Sequence, residues 1–223
     1  MSHVWNEHAS SFLTGKVYGV LVLFVVTLVA SVFCSASVVA LEPGSATTAV
    51  KKTLDQVLAI LGDEQLKTPD RSRDRIAALE KIIGERFDYE EMGKRTLGFE
   101  WKKLDKAQQK EFVSLFEKLL LNTYTGNVNS YSGEQVQYTK ERRKGKFAEV
   151  QTKIIAKKLE IPLAYRLVKK SSHWWIYDVV IDGISLVRNF RGQFGRIIKA
   201  KGFSGLLDKL RIKAEKKSKA SVK

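Results

Sequence analysis

The side chains that most often carry out chemistry are scarce in this chain. Its 223 residues include one cysteine, Cys34, and three histidines, His3, His8 and His173. Cys34, His3 and His8 all lie near the N-terminus, so His173 is alone in the rest of the chain. Disulfides and Cys/His zinc sites need several such side chains close together. We therefore predict no disulfide framework, no metal site and no cofactor.

One cluster offers groups for acid/base catalysis. A small-molecule enzyme needs an acid and a base near its substrate, and Asp178 with Tyr177 or His173 is the set that fits this requirement. Neighbours in a strand point to opposite faces, which separates Tyr177 from Asp178. His173 follows a polar Lys-Ser-Ser turn, where a solvated histidine is the simpler interpretation. The sequence therefore favours a protein that is not an enzyme.

The first 40 residues have the layout of a signal peptide. Lys16 is followed by an uncharged run over residues 17–33 and then by small residues ending at Ala40. We predict cleavage after Ala40. The alternative is a retained membrane anchor, because the uncharged stretch from 17 to 41 is long enough to span a bilayer of about 30 Å. Either way, we expect export.

The formal net charge of +15 narrows the choice of partners. Such an excess suits nucleic acid, an anionic membrane surface or an acidic protein. We expect no nucleic acid, because export and the lack of a recognition motif both argue against it. Part of the excess lies at the C-terminus, and we predict that residues 214–223 form a basic, disordered tail.

Helical patterns flank the middle of the chain. Apolar residues at helical spacing predict helices at residues 46–61 and 70–83. Asp88 with Glu91, and Asp105 with Gln108, match N-caps and predict helices at 89–97 and 106–124. Two more helices, 184–199 and 203–213, are predicted on either side of the breaker Gly202. The first of these has an apolar stripe: Ile184, Val187, Phe190, Phe194 and Ile198.

Strand-like runs occupy the middle of the chain, at residues 135–140, 146–156, 161–169 and 174–181. Their short links and alternating apolar residues predict an antiparallel meander. Residues 41–213 are therefore predicted to form a single α+β domain. It contains a curved, four-stranded antiparallel sheet covered by helices, with extra helices at both ends.

Several motifs resemble one protein family. The segment from Trp174 to Phe194 is similar to the closing strand and following helix of the MlaC family, also called toluene-tolerance proteins. Further resemblances lie at residues 87–92, 97–101, 104–124, 131–134, 162–167 and 202–206. Together they cover most of the chain from residue 87 to about residue 210.

The resemblance implies a fold and a function. The fold would be a cup of the cystatin-like or nuclear-transport-factor-like kind. The function would be that of a periplasmic phospholipid carrier in an ABC-type system that maintains outer-membrane lipid asymmetry. Its expected partners are phospholipid, an inner-membrane ABC transporter complex and an outer-membrane lipoprotein-type complex, with an anionic membrane surface as a further candidate.

A carrier of this kind needs an apolar cavity between the sheet and its helices. The predicted lining consists of large apolar residues from the long helix, the sheet and the helix after the last strand: Phe112, Phe116, Leu119, Leu120, Val136, Tyr138, Val150, Tyr165, Leu167, Val179, Ile181, Leu186, Phe190 and Phe194. Arg188 and Arg191 are predicted to meet the lipid phosphate at the mouth. Two alternatives stay open, a small-molecule enzyme in the cup and a periplasmic adaptor without lipid.

Overall fold

A computed structural model describes residues 44–124, 131–156 and 159–220, and for residues 215–220 it describes the backbone alone. The predicted signal peptide and its cleavage site lie outside the described residues.

Two N-terminal helices begin the described chain. Helix α1 spans Ala46–Gly62, and its N-cap is Ser45, whose hydroxyl accepts a hydrogen bond from the Thr48 amide at 3.0 Å. Helix α2 spans Ser72–Gly84. Short 3₁₀ turns at Glu64–Leu66 and Pro69–Arg71 join the two helices. Both predicted helices are confirmed to within about two residues.

The next two helices begin at the caps that the sequence predicts. Asp88 Oδ1 accepts from the Glu91 amide at 3.0 Å and starts α3, Tyr89–Leu97. Asp105 Oδ1 accepts from the Gln108 amide at 2.8 Å, and Gln108 Oε1 accepts from the Asp105 amide at 3.1 Å. This reciprocal capping box starts α4, Lys106–Tyr124. Both helices have the predicted bounds. A 3₁₀ turn, Glu100–Lys103, separates them.

The sheet is an antiparallel meander in the order β1-β2-β3-β4-β5. Its long strands are β1 Gln135–Lys144, β2 Phe147–Ala156, β3 Leu159–Lys170 and β4 His173–Ile181. The prediction of four strands misses β5, Ile184–Ser185, which pairs with the end of β4 through a tight turn. Register shifts at Tyr138/Lys140 and at Arg166/Leu167 mark bulges, which bend and twist strands.

The last helix, α5, spans Leu186–Ala220 and is kinked at Gly202, whose φ of 69° and ψ of 178° are not helical. The predicted separation into two helices at Gly202 is therefore confirmed. The predicted start is wrong, because Ile184 belongs to β5 and is 38 % exposed. The helix also continues through residues 214–220, where the sequence favoured a disordered tail. Lysine and alanine are frequent there, and both are good helix formers.

Two packing regions position these elements. Helix α1 lies on the inner face of the sheet, where Ala46 and Val50 pack with Val150, Leu167 and Trp174. Helix α3 lies at the free edge of β4, because the segment before it pairs there: the Asp88 amide donates to the Ile176 carbonyl at 2.8 Å. Helices α4 and α5 pack against α3 and against each other.

Within the described ranges, no helix combines the length and apolar content needed to cross a membrane.

Candidate functional site

A cavity of about 230 Å³ lies between the inner face of the sheet and helices α1 to α4. The side chains in its wall are almost all apolar, and none of them carries a formal charge. The wall consists of Val50, Thr53, Leu54, Val57, Ile83, Phe87, Tyr89, Met92, Leu120, Leu121, Tyr124, Leu163, Tyr165, Ile176, Val179, Ile181 and Leu186.

One side of the cavity is well buried and the other is partly exposed. Val50, Met92 and Ile176 have exposed fractions of 0 %, 1 % and 2 %, which places them deep in the domain. Ile181 is half-buried and Tyr124 is 39 % exposed. The opening therefore lies near the C-terminal ends of β4 and α4.

Helical and strand periodicities place these side chains. In α1, Val50, Leu54 and Val57 lie at i, i+4 and i+7, so they share the helix face that meets the sheet. In β4, the bulge beside Tyr177 changes the alternation, so that Ile176 and Val179 both face inward. Met92 faces the cavity from α3. The capping of α3 by Asp88 fixes the start of that helix beside β4.

Hydroxyl groups are the polar atoms of the wall, and the tyrosines there are uncharged at neutral pH. Burial raises the pKa of Tyr165 to about 12 and that of Tyr124 to about 12. Burial, assisted by Glu117, raises the pKa of Tyr89 as well. Thr53 donates its hydroxyl proton to the Ala49 carbonyl at 3.2 Å. Such a wall can solvate hydrocarbon without holding a charge in the interior.

Arg86 places a half-buried charge behind the cavity wall. Its Nε donates to Thr53 Oγ1 at 3.0 Å, and its Nη1 donates to the Trp174 carbonyl at 2.9 Å. Burial lowers the pKa of this guanidinium. Arg86 does not line the cavity. Its two bonds tie α1 and β4 to the segment before α3.

The structure separates the predicted lining residues into those in the wall and those elsewhere. Leu120, Tyr165, Val179, Ile181 and Leu186 lie in the wall. Val150 and Leu167 are fully buried in the core beneath α1, and Tyr138 packs against that core. Leu119 is buried on α4, and Val136 is half-buried on the edge strand.

The predicted phenylalanines form a separate aromatic cluster between α4 and α5. Phe116 lies 5.4 Å from Phe190 and 5.6 Å from Phe194, measured between ring centroids. Phe112 lies 5.9 Å from Phe194 and 6.2 Å from Phe203. These rings fill their own space with edge-to-face and tilted contacts. Phe112, Phe116, Phe190 and Phe194 therefore do not line the cavity described above, and a part for them in lipid binding stays a prediction.

The two arginines predicted for a lipid phosphate do not lie in the wall either. Both side chains are exposed on the first turns of α5. The Arg191 guanidinium packs against Gly98 at the end of α3, within 3.0 Å of where a Cβ on Gly98 would lie. The Arg188 amide donates to Ser185 Oγ at 3.0 Å, which is a cap at the start of the helix. Neither arginine lines the cavity, and their contact with a lipid phosphate stays a prediction.

Several wall residues were not predicted: Val50, Thr53, Leu54, Val57, Ile83, Phe87, Tyr89, Met92, Leu121, Tyr124, Leu163 and Ile176. Most come from α1, α2 and α3. The sequence signal was present, because Val50, Leu54 and Val57 form an apolar stripe, and the charged residues of that helix lie away from the stripe. That pattern indicates burial but does not say which partner the stripe meets.

Asp178, the centre of the possible acid/base cluster, has a structural role. It is 2 % exposed, and its carboxylate accepts from Arg166 Nη1 at 3.1 Å, Ser185 Oγ at 2.7 Å and the Val187 amide at 3.0 Å. These bonds fix the junction between β4, β5 and α5.

The side chain of His173 is exposed in its turn, with Nδ1 2.9 Å from the Ser171 carbonyl. In the described residues, no group of three His, Cys, Asp or Glu side chains is arranged to hold a metal ion.

Comparisons with known proteins agree with the fold. A solved phospholipid-binding protein from Ralstonia solanacearum, in complex with a phospholipid, superposes with a TM-score of 0.70. It is 26 % identical in sequence, and the match covers 77 % of this chain and 98 % of the solved chain.

A curated relative shows a more distant match. The intermembrane phospholipid transport system binding protein MlaC of Haemophilus influenzae is 25 % identical over 128 residues. The alignment covers 55 % of this chain and 60 % of the relative, so it spans less than two thirds of that protein. The model of the MlaC protein family matches residues 51–212, which is most of the described sequence. The chain therefore belongs to the MlaC protein family.

Proposed function

We propose that this protein is a phospholipid carrier that holds acyl chains in the apolar cavity. The observation that carries the proposal is the uncharged wall between the sheet and α1 to α4, in a fold that superposes on a phospholipid-bound relative. In this proposal the protein binds whole lipid and does no chemistry on it, and the structural role of Asp178, the candidate acid/base group, supports that part of the proposal.

The physical problem of carrying a phospholipid is to keep its tails out of water. Two acyl chains with about thirty methylenes cost on the order of 20 kcal/mol to expose, at about 0.8 kcal/mol for each methylene. An apolar cavity offsets most of this cost, so transfer from membrane to protein becomes nearly isoenergetic. A charged group inside would add a desolvation penalty of several kcal/mol, which the observed wall avoids.

The size of the cavity implies that it widens when lipid enters. Its volume of about 230 Å³ is below the roughly 300–1,000 Å³ of typical small-molecule sites. The wall is shared between the α1–α2 hairpin and the α3–α4 unit, which meet across the cavity. Separation of these units would enlarge the cavity for two acyl chains without breaking the sheet.

The predicted export signal and the family support a proposal for the site of action. We place the carrier in the periplasm, where it exchanges phospholipid with an inner-membrane ABC transporter complex and an outer-membrane lipoprotein-type complex. Such exchange would maintain the lipid asymmetry of the outer membrane. The net charge of +15 fits an anionic membrane surface as an additional contact.

A matched pair of tryptophan variants tests the cavity. Ile181 lies in the wall, whereas its strand neighbour Val180 points to the opposite face. Both are half-buried. Ile181→Trp occupies part of the cavity near its opening; if its overlap with an acyl chain costs as much as overpacking a protein core, about 1–3 kcal/mol, phospholipid affinity should fall roughly 5- to 150-fold. Val180→Trp is the control and should retain the lipid. Native mass spectrometry of gently purified protein measures occupancy.

Two results would contradict the proposal. Wild-type protein without co-purified phospholipid, and unable to take it up from vesicles, would favour a lipid-free adaptor. Accumulation of lysolipid or free fatty acid that disappears in an Asp178→Asn variant would favour an enzyme.

A further inference from the structure

Two hairpin turns at one end of the sheet bring a dense group of cations together. The Lys169 amide donates to the Lys146 carbonyl at 2.7 Å, so the β1–β2 and β3–β4 turns lie side by side. We call these turns and their flanking cations the basic hairpin end. It contains Arg142, Arg143, Lys144, Lys146, Lys169 and Lys170.

Most of these charges have no acidic partner. Residues 142–148 and 161–177 contain no Asp or Glu. Lys170 pairs with Asp88 at 2.5 Å, and Arg142 lies opposite Glu149 on the next strand. The other four, Arg143, Lys144, Lys146 and Lys169, form no ion pair with any carboxylate in the described part of the chain.

Aromatic rings accompany the cations. Phe147 is 36 % exposed, and both Lys146 Nζ and the Arg95 guanidinium lie 5.6 Å from its ring centroid. On the other face of the sheet, Arg143 lies 5.0 Å and Lys169 lies 5.8 Å from the Trp174 ring. The surface therefore combines fixed cations with an exposed apolar ring.

Protection of a sheet edge explains only part of this arrangement. Edge strands often carry charges that prevent pairing with another molecule, and β1 is an edge strand. That function accounts for Arg143 and Lys144. It does not account for Phe147 on β2 or Lys169 on β3, because both strands are paired on both sides.

We propose that the basic hairpin end docks on the surface of an anionic phospholipid bilayer. The cations would lie over lipid phosphates, and Phe147 would enter the interfacial region, where aromatic rings are favoured. Aromatic residues are also common in protein interfaces, so an acidic protein is the alternative partner that the test below separates from a bilayer. This inference does not depend on the carrier proposal, because a protein without lipid cargo could dock in the same way.

Vesicle sedimentation tests the inference with the full exported chain at low salt. Wild type should bind vesicles of three parts phosphatidylcholine to one part phosphatidylglycerol, and should bind phosphatidylcholine alone much less. Each cation near such a surface contributes about fivefold in affinity, so Lys144→Glu with Lys146→Glu should weaken binding at least ~25-fold. The matched control, Lys106→Glu with Lys110→Glu on α4, makes the same change in net charge at exposed positions away from the hairpins.

A substitution that leaves the net charge unchanged tests the apolar part of the surface. Phe147→Ser should weaken binding to the anionic vesicles and leave the salt dependence in place. All variants should keep the phospholipid occupancy of the wild type, which separates a failure of docking from a failure of the carrier proposal.

Three results would overturn the inference. The wild type could fail to bind anionic vesicles, or both double variants could lose binding equally. Alternatively, the wild type could bind immobilised polyglutamate and not the vesicles, and the Lys144→Glu with Lys146→Glu variant could lose that binding. That last result would assign the surface to an acidic protein partner.

Discussion

Replacing Asp178 with alanine should destabilise the protein by about 3–4 kcal/mol. Asp178 is 2 % exposed and accepts hydrogen bonds from Arg166, Ser185 and the Val187 amide. Removing one partner of a buried charge pair costs about 3–5 kcal/mol. The lower end applies here, because Arg166 is 35 % exposed and also bonds to Glu149. The Val187 amide would lose its acceptor at the start of α5.

Two further variants make this prediction specific. Asp178→Asn keeps one acceptor oxygen but loses the charge, so we expect a loss of about 1–2 kcal/mol. Asp182→Asn, in the exposed turn that follows, makes the same chemical change, and asparagine tolerates its φ of 49°. It should change stability by less than about 0.5 kcal/mol.

Urea denaturation followed by circular dichroism measures these differences, and lipid occupancy is measured on the same samples. The structural role would be refuted if Asp178→Ala lowered the free energy of unfolding by less than about 1 kcal/mol. An Asp178→Asn variant of full stability that cannot bind phospholipid would also refute it, since that result would assign the carboxylate to the ligand.

Two other substitutions test whether Phe190 belongs to the core and His173 to the surface, outside the cavity wall. Phe190→Asp places an unpaired carboxylate against Phe116 in the aromatic cluster, which costs several kcal/mol. We expect poor folding yield, and a stable variant that specifically loses lipid would instead put Phe190 at the cavity. His173→Ala should leave lipid exchange with vesicles unchanged, because the ring is exposed and its Nδ1 lies 2.9 Å from the Ser171 carbonyl of its own turn. A decrease in the exchange rate would show that this turn takes part in transfer.

The elements predicted best are those that local chemistry determines. The starts of α3 and α4 follow from Asp88 and Asp105, because an N-cap bonds to amides two or three residues away. The long strands follow from alternation within each segment. Strand β5 could not be predicted, since a two-residue strand depends on its pairing with β4.

The cavity was harder to predict than the fold. The spacing of Phe116 and Phe190 predicts that both are buried, and both are. They pack against each other, however, and do not line the cavity. Leu54 and Val57 show the same kind of stripe and do line the cavity. The difference lies in how α1 and α5 sit on the sheet, which is a tertiary property that no single helix pattern contains.

Photo-crosslinking with a phospholipid that carries a diazirine on one acyl chain tests the central claim most directly. We expect crosslinks to the cavity wall, in peptides that contain Leu120, Tyr165 or Val179, on lipid that remains intact and diacylated. Crosslinks confined to the aromatic cluster around Phe194 or to the outer face of the sheet would contradict it.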